Sequence, residues 1–321
     1  MACRMKVSAN WRLVATVVLI GLCSLLAIAI PSRQDEEEDG TRRIWNKRFQ
    51  EARARAARRL GKLTNAPTSS QATSRDVGVS TVTAPTASPA GVVDGELIGV
   101  TVWRLRNTTA SDDQNRPRLL VQKDGQVSQL IAARVAADTP FSEGQMVRLG
   151  IEATSERDSY LYVIDREVYA DGTTSDPYLI FPSQTTPPGG NVVTDGKIVY
   201  VPAQGDPIPY FTLSPIRKDY VREALTIIVS PTPLDLTPGA PGDPTRLDSS
   251  QVAQWEKQWG GRTEQREARG GVGKQWTVAE KEAGEGERRL AQSDPLPQTI
   301  YRVEVKPGAP ALVHVPLRIA K

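Results

Sequence analysis

The chain predicts a mainly β protein: an antiparallel β-sandwich or barrel-like domain with short accessory helices, preceded by an N-terminal membrane helix and a disordered linker. Three observations carry this. Between Phe141 and Pro231 the runs MVRLGIEAT, YLYVID, PYLIFP, KIVYVPA, YFTLSPI and LTIIVSP are each bounded by Gly, Pro, Asp or Ser, the punctuation of short strands joined by turns. Leu13–Ile30 carries no charge and follows Arg4, Lys6 and Arg12. Thr64–Ala90 is mostly Ser, Thr, Ala and Pro, too poor in apolar residues to bury a core.

The uncharged run is longer than the usual core of an export signal and just reaches the length of a membrane span. Its basic flank belongs on the cytoplasmic side, so the remainder is expected outside the inner membrane, in the periplasm or cell exterior. Ala27-Ile28-Ala29 also resembles a cleavage site, in which case the product is secreted. Residues 1–31 are therefore a signal-anchor or signal peptide. Residues 32–63 form a charged segment with a basic helix, in which Trp45, Phe49, Ala52, Ala56, Leu60 and Leu63 recur at three- and four-residue steps among arginines. That pattern gives one apolar helical face and predicts a membrane-surface helix using Trp45, Phe49, Arg53, Arg58 and Arg59.

Residues 64–90 are then the linker, and residues 91–321 a β-rich extracytoplasmic domain. The latter has a core over 141–234, a helical insert over 245–290 and a closing hairpin over 299–319. Trp103 is an expected core anchor, and Asp124-Gly125 an expected hairpin turn. In Met146–Thr154, Val147, Leu149, Ile151 and Ala153 alternate with Arg148, Gly150, Glu152 and Thr154, which predicts one dry face and one wet face. Tyr160–Ile164 is apolar on both sides, as a central strand covered on both faces would be. Ser249–Trp259 is a helix candidate whose Val252, Trp255 and Trp259 form a stripe, suited to docking on the sheet. Thr277 with Glu280 makes a capping-box pattern. Pro316 on the outward side of the last strand marks an edge.

One set of motifs carries a resemblance. Phe141-x-x-Gly144-x-x-Val147-Arg148-Leu149, Tyr160-Leu161-Tyr162-Val163, Asp171-Gly172, Phe181-Pro182, Asn191, Pro202 and Glu223–Ser230 occur in an order that resembles the bacterial domain-of-unknown-function family numbered 4384. The similarity covers about 141–234. Gln145, Ser159 and Arg222 depart from the family's usual Asp, Gly and Gly. The resemblance implies a β-rich module found in bacterial proteins, sometimes beside caspase-like or kinase domains. It implies no catalytic residues.

Composition narrows the chemistry. The chain is net positive, but the excess lies in the first ninety residues, and residues 91–321 are net acidic, a poor match to nucleic acid. Cys3 and Cys23 are the only cysteines and His314 the only histidine, so residues 91–321 hold no disulfide, thiol nucleophile or multi-His metal set. Arg269–Lys274 resembles a phosphate loop but lacks its first Gly and its Ser/Thr. No cofactor is expected. Asp165, Glu167, Asp171 and Asp176 form the one acidic cluster, a candidate cation site. These features predict a non-catalytic binding or interaction module, anchored through its N-terminal helix, whose partner is another envelope protein, peptide or glycan. A carboxylate-dependent hydrolase of an envelope polymer is the first alternative, and a structural stalk the second.

Overall fold

A computed structural model describes residues 33–64 and 95–320, apart from Asp124, Glu156, Gln204 and Pro307. The chain divides into two units, Met1–Gly40 and Thr41–Lys321. Of the first, only part of a helix is described. The expected membrane segment and linker lie outside the described residues. Among the described residues, no helix is long and apolar enough to cross a membrane.

The elements run α1 (Arg33–Thr64), β1 (Glu96–Asn107), β2 (Leu119–Lys123), β3 (Gln126–Val135), β4 (Met146–Ala153) and β5 (Ser159–Asp165). They continue with β6 (Glu167–Tyr169), β7 (Tyr178–Phe181), β8 (Val192–Val193), β9 (Val199–Val201), β10 (Phe211–Thr212) and β11 (Tyr220–Ser230). The last are β12 (Thr245–Arg246), α2 (Ser249–Trp259), β13 (Thr263–Glu267), α3 (Val278–Gly284), β14 (Thr299–Val303) and β15 (Ala311–Arg318).

The strands form two antiparallel sheets. The first orders β10-β4-β1-β14-β13, with β3 on β1, β2 on β3 and β9 on β4; the second orders β12-β7-β5-β11-β15, with β6 on β11 and β8 on β5. Ile98, Val147, Leu149 and Val303 of the first sheet and Leu161, Val163, Ile227 and Val313 of the second share one core. Period-two alternation puts them there, because every second side chain of each strand faces the other sheet. The mainly β expectation holds.

β5 lies between β11 and β7. Leu161 and Val163 face the shared core, while Tyr162 and Ile164 pack in a second cluster with Val252 of α2, so both faces are covered as expected. The α2 bounds match the sequence reading: Asp248 caps it by accepting from the N–H groups of Ser250 and Gln251. Trp255 and Trp259 stack with ring centroids 5.3 Å apart and pack on that cluster, docking the helix on the sheet. The Thr277–Glu280 capping box opens α3, β2 and β3 pair across Gly125 with φ of +77°, and β15 is an edge strand.

Three expectations about the β domain are corrected. The closing segment 299–319 is no hairpin: β14 joins the first sheet and β15 the second, because both strands alternate apolar residues toward the same core. The insert 245–290 is only partly helical, since β13 pairs with β14 at the sheet edge. The polar side of β4 is also dry, with Arg148 and Glu152 both buried. Trp103, Tyr200 and Trp276 cover one part of this outer face, and α1 covers another.

The largest correction concerns α1 itself. Its apolar face packs on the first sheet, where Trp45 (3% exposed) and Phe49 (1%) meet Leu97 and Ile300. Gly99 makes the approach possible, because a Cβ there would lie 2.3 Å from Pro297 and 3.0 Å from Phe49. Arg53 is 1% exposed; its Nη2 donates to both Glu152 oxygens at 3.0 and 3.1 Å, and its Nη1 to the carbonyls of Ala291 and Asp294. Arg55 grips the buried Asp195 at 2.9 and 3.2 Å. The predicted lipid-facing residues Trp45, Phe49 and Arg53 are therefore interior. Only Arg58 and Arg59 of that set are exposed.

Candidate functional site

A groove of about 380 Å³ opens where β7 and β10 meet the loops 202–210 and 239–244. Its lining includes Ile180, Ile208, Tyr210, Phe211 and several prolines, with Asp206 as the one ionisable acid. Prolines suit these walls because a fixed φ reduces the freedom lost in ordering a loop. Asp206 serves the loop. Its Oδ2 accepts from the Ala203 N–H at 3.0 Å, and its Oδ1 accepts from the hydroxyls of Ser183 (3.1 Å) and Thr185. Ile208 stands on the rim, 40% exposed.

A smaller cavity of about 80 Å³ adjoins the groove. Ile180, Phe211 and Thr212 line both. Asp165, the last residue of β5, and Glu223, near the start of β11, supply its carboxyl groups; Val147, Leu149, Leu213 and Leu317 supply apolar walls. Glu167 stands directly opposite Glu223 across the β6–β11 ladder, an arrangement of like charges that sheets disfavour. Glu167 (6% exposed) accepts from the Ile216 N–H through Oε1 at 2.9 Å. Among the described residues, no hydrogen-bond donor reaches Asp165 Oδ1, Glu167 Oε2 or Glu223 Oε2, and Glu223 is 8% exposed.

Burial, and then the neighbouring Asp165, pushes the Glu223 carboxyl up to about 9. Burial likewise raises Asp165 to about 6, with Glu167 adding to the rise. The charge on Asp165 thus favours the protonated form of Glu223. Tyr220 beside Glu223 is also raised by burial and by these acids. The backbone N–H of Arg166, adjacent to Asp165 in the chain, offsets only part of the Asp165 rise, and its side chain turns away. Strand alternation sends its guanidinium to Glu256 on α2, at 3.3 Å.

The predicted acidic cluster is only half assembled. Asp165 and Glu167 come together, but Asp171 sits in an exposed turn, accepting from the N–H (2.9 Å) and hydroxyl (2.6 Å) of Thr173 and pairing with Arg217. Asp176 pairs with Arg246 at 2.8 Å. Among the described residues, no group of three or more His, Cys, Asp or Glu is arranged to hold a metal ion. Glu223 is the member that sequence reasoning missed. The signal available was an acid two residues before a buried apolar run, in a strand whose partner was not known. The Arg269–Lys274 turn offers no phosphate cradle, since the Gly273 and Lys274 N–H groups already bond the carbonyls of Arg134 and Gly271. His314 is on the outer side, its Nδ1 3.2 Å from the Thr226 hydroxyl, and burial lowers its pKa.

Comparison of the chain with protein-family models, with curated proteins and with solved structures finds no match.

Proposed function

We propose that the chain is a non-catalytic binding module, held outside the bacterial inner membrane by its N-terminal segment, with the groove between β7 and β10 as its ligand site. The observation that carries this reading is the groove: a concave, mostly apolar surface of ligand-sized volume. The order of apolar segment, Ser/Thr/Ala/Pro segment and β-rich domain supports the location, and the resemblance to family 4384 supports a module of this kind. The partner is an envelope protein, peptide or glycan; no cofactor is needed.

The Asp165–Glu223 pair favours the hydrolase alternative only at first sight. Paired-carboxylate glycoside hydrolysis needs the acids about 5–10 Å apart with the sugar between them, whereas Asp165 and Glu223 line a cavity of about 80 Å³, too small to seat a sugar. The stalk alternative drew on the basic helix, whose apolar face is occupied within the chain.

Two experiments test the proposal. Reporters fused after Ser32 should be active only outside the cytoplasm; activity in the cytoplasm overturns the location. A photocrosslinker at Ile208 should capture an envelope component that the same probe at Leu120, an exposed residue (62%) not lining the groove, does not. Equal capture from both positions overturns the groove as the site.

A further inference from the structure

We propose that the groove takes a ligand bearing a primary ammonium on an aliphatic stem, such as a lysine side chain or an alkylamine, with the ammonium seated against Asp165 and Glu223. This rests on the binding reading above and names the ligand chemistry.

Four observations converge. Among the described residues, the groove and the adjoining cavity are lined by three carboxyl residues, Asp206, Asp165 and Glu223, and by no Lys, Arg or His. Asp206 is satisfied by its loop, whereas Asp165 and Glu223 line the cavity and their Oδ1 and Oε2 atoms meet no donor among the described residues. Buried carboxyl oxygens without donors are costly, and a charged donor removes that cost. An ammonium carries three donors, and Glu167 Oε2 adds a third orphan oxygen to the same cluster.

Size and polarity select among cations. The cavity of about 80 Å³ is several times the ~10–15 Å³ of accessible space that seats one water, enough for a short methylene stem and its ammonium. A guanidinium is planar with five donors and needs more acceptors than this cavity offers. A hard metal ion takes six or more oxygens, and most of these walls are aliphatic. Those same walls suit methylene groups, which bury favourably at ~0.8 kcal/mol each. Ile180 and Phe211, which line both spaces, are only half-buried, so the stem has a route from the groove.

Binding exchanges one cation for another. The proton held by Glu223 leaves to solvent as the ammonium arrives, so affinity rises with pH across the range in which that proton is lost. The groups facing the pair are Glu167 on β6 and Tyr220 on β11; Tyr169, with the Arg217 guanidinium 3.9 Å above its ring, stands beside Glu167.

The test is calorimetric titration of the full chain with n-pentylamine, with n-pentanol as neutral isostere and calcium chloride as the metal comparison. Titrations at pH 7.5 in two buffers of different ionisation enthalpy report proton release. We expect pentylamine to bind at least tenfold more tightly than pentanol, with proton release. We expect no calcium heat, and at least a tenfold loss of pentylamine affinity in D165N/E223Q but not in D176N, whose side chain lines neither space. Equal binding of amine and alcohol, binding without proton release, or calcium in place of the amine overturns the proposal. If the double variant does not fold, the buffer pair on the unmodified chain still decides. Crosslinking from Ile208 separates the two claims: if it persists while pentylamine fails, the ligand chemistry is wrong and the groove stands; if both fail, both fall.

Discussion

Buried acids occur at two places in this fold, and they are treated in opposite ways. On the outer face of the first sheet Glu152 meets Arg53, and Glu280 meets Arg134. Burial pushes Glu152 up, and Arg53 opposes that push. At the end of the second sheet Asp165, Glu167 and Glu223 share a site in which no ion pair forms among the described residues. Burial is similar at both. The difference lies in what covers them, since α1 lays an arginine over Glu152 while a groove opens beside Asp165 and Glu223. A compensated acid fixes one element to another. An uncompensated acid, held partly neutral by its own raised pKa, keeps the capacity to receive a charge from outside.

The largest expected effect is at the compensated end. Arg53→Ala strands Glu152 and removes donors from the carbonyls of Ala291, Asp294 and Pro295. A urea melt should show a loss of about 3–5 kcal/mol; a loss below ~1 kcal/mol would mean the pair does not hold the helix. The double variant Arg53→Met with Glu152→Leu sharpens the point, because removing both charges should recover the part due to the stranded carboxylate and leave the cost of the three carbonyls.

Glu223→Gln should act in the other direction, raising stability at pH 8 by about 1–3 kcal/mol. Its folded pKa of about 9 lies above the ordinary value of 4.5, so the folded chain binds more protons than the unfolded chain between those values. Stability therefore falls as pH rises through that window, with a slope approaching ~1.4 kcal/mol per pH unit; Asp165 adds to it below about pH 6. Chemical melts from pH 4 to 9 should show this slope in the unmodified chain and a flatter one in Glu223→Gln. An unchanged slope would place the titrating group elsewhere. The smallest effect belongs to an acid that is neither buried nor stranded: Asp171→Ala removes an exposed pair with Arg217 and should leave the thermal midpoint within the scatter of repeat melts.

Much of this fold was legible because it depends on local period. The two-faced β5, the bounds of α2 and the capping box of α3 follow from alternation, Asp248 and Thr277. What failed needed knowledge of a distant partner. The helical spacing of Trp45, Phe49 and Ala52 specifies an apolar face, but lipid and a β-sheet satisfy it equally. Only Glu152, about a hundred positions away, distinguishes them, and an arginine on that face looked like one more basic residue. Alternation in β14 and β15 likewise gives the inner face of each strand without saying which sheet it joins. The acid pair was half visible: Asp165 stood in an acidic run, while Glu223 lay on a strand whose register against β5 and β6 no single-chain pattern reveals.

The docking of α1 has a topological consequence. Its attachment to the sheet is made by side chains, among them Trp45, Phe49, Arg53 and Arg55, and the polypeptide joins the two only through residues 65–94. The helix and the sheet are thus separable as molecules. Cleavage within 65–94 turns an intramolecular contact, favoured by the high effective concentration of a tether, into a bimolecular one with a measurable dissociation constant. A synthetic peptide spanning 41–62 becomes a ligand for a chain beginning at Gly95, and the helix can be exchanged as a labelled subunit of its own protein.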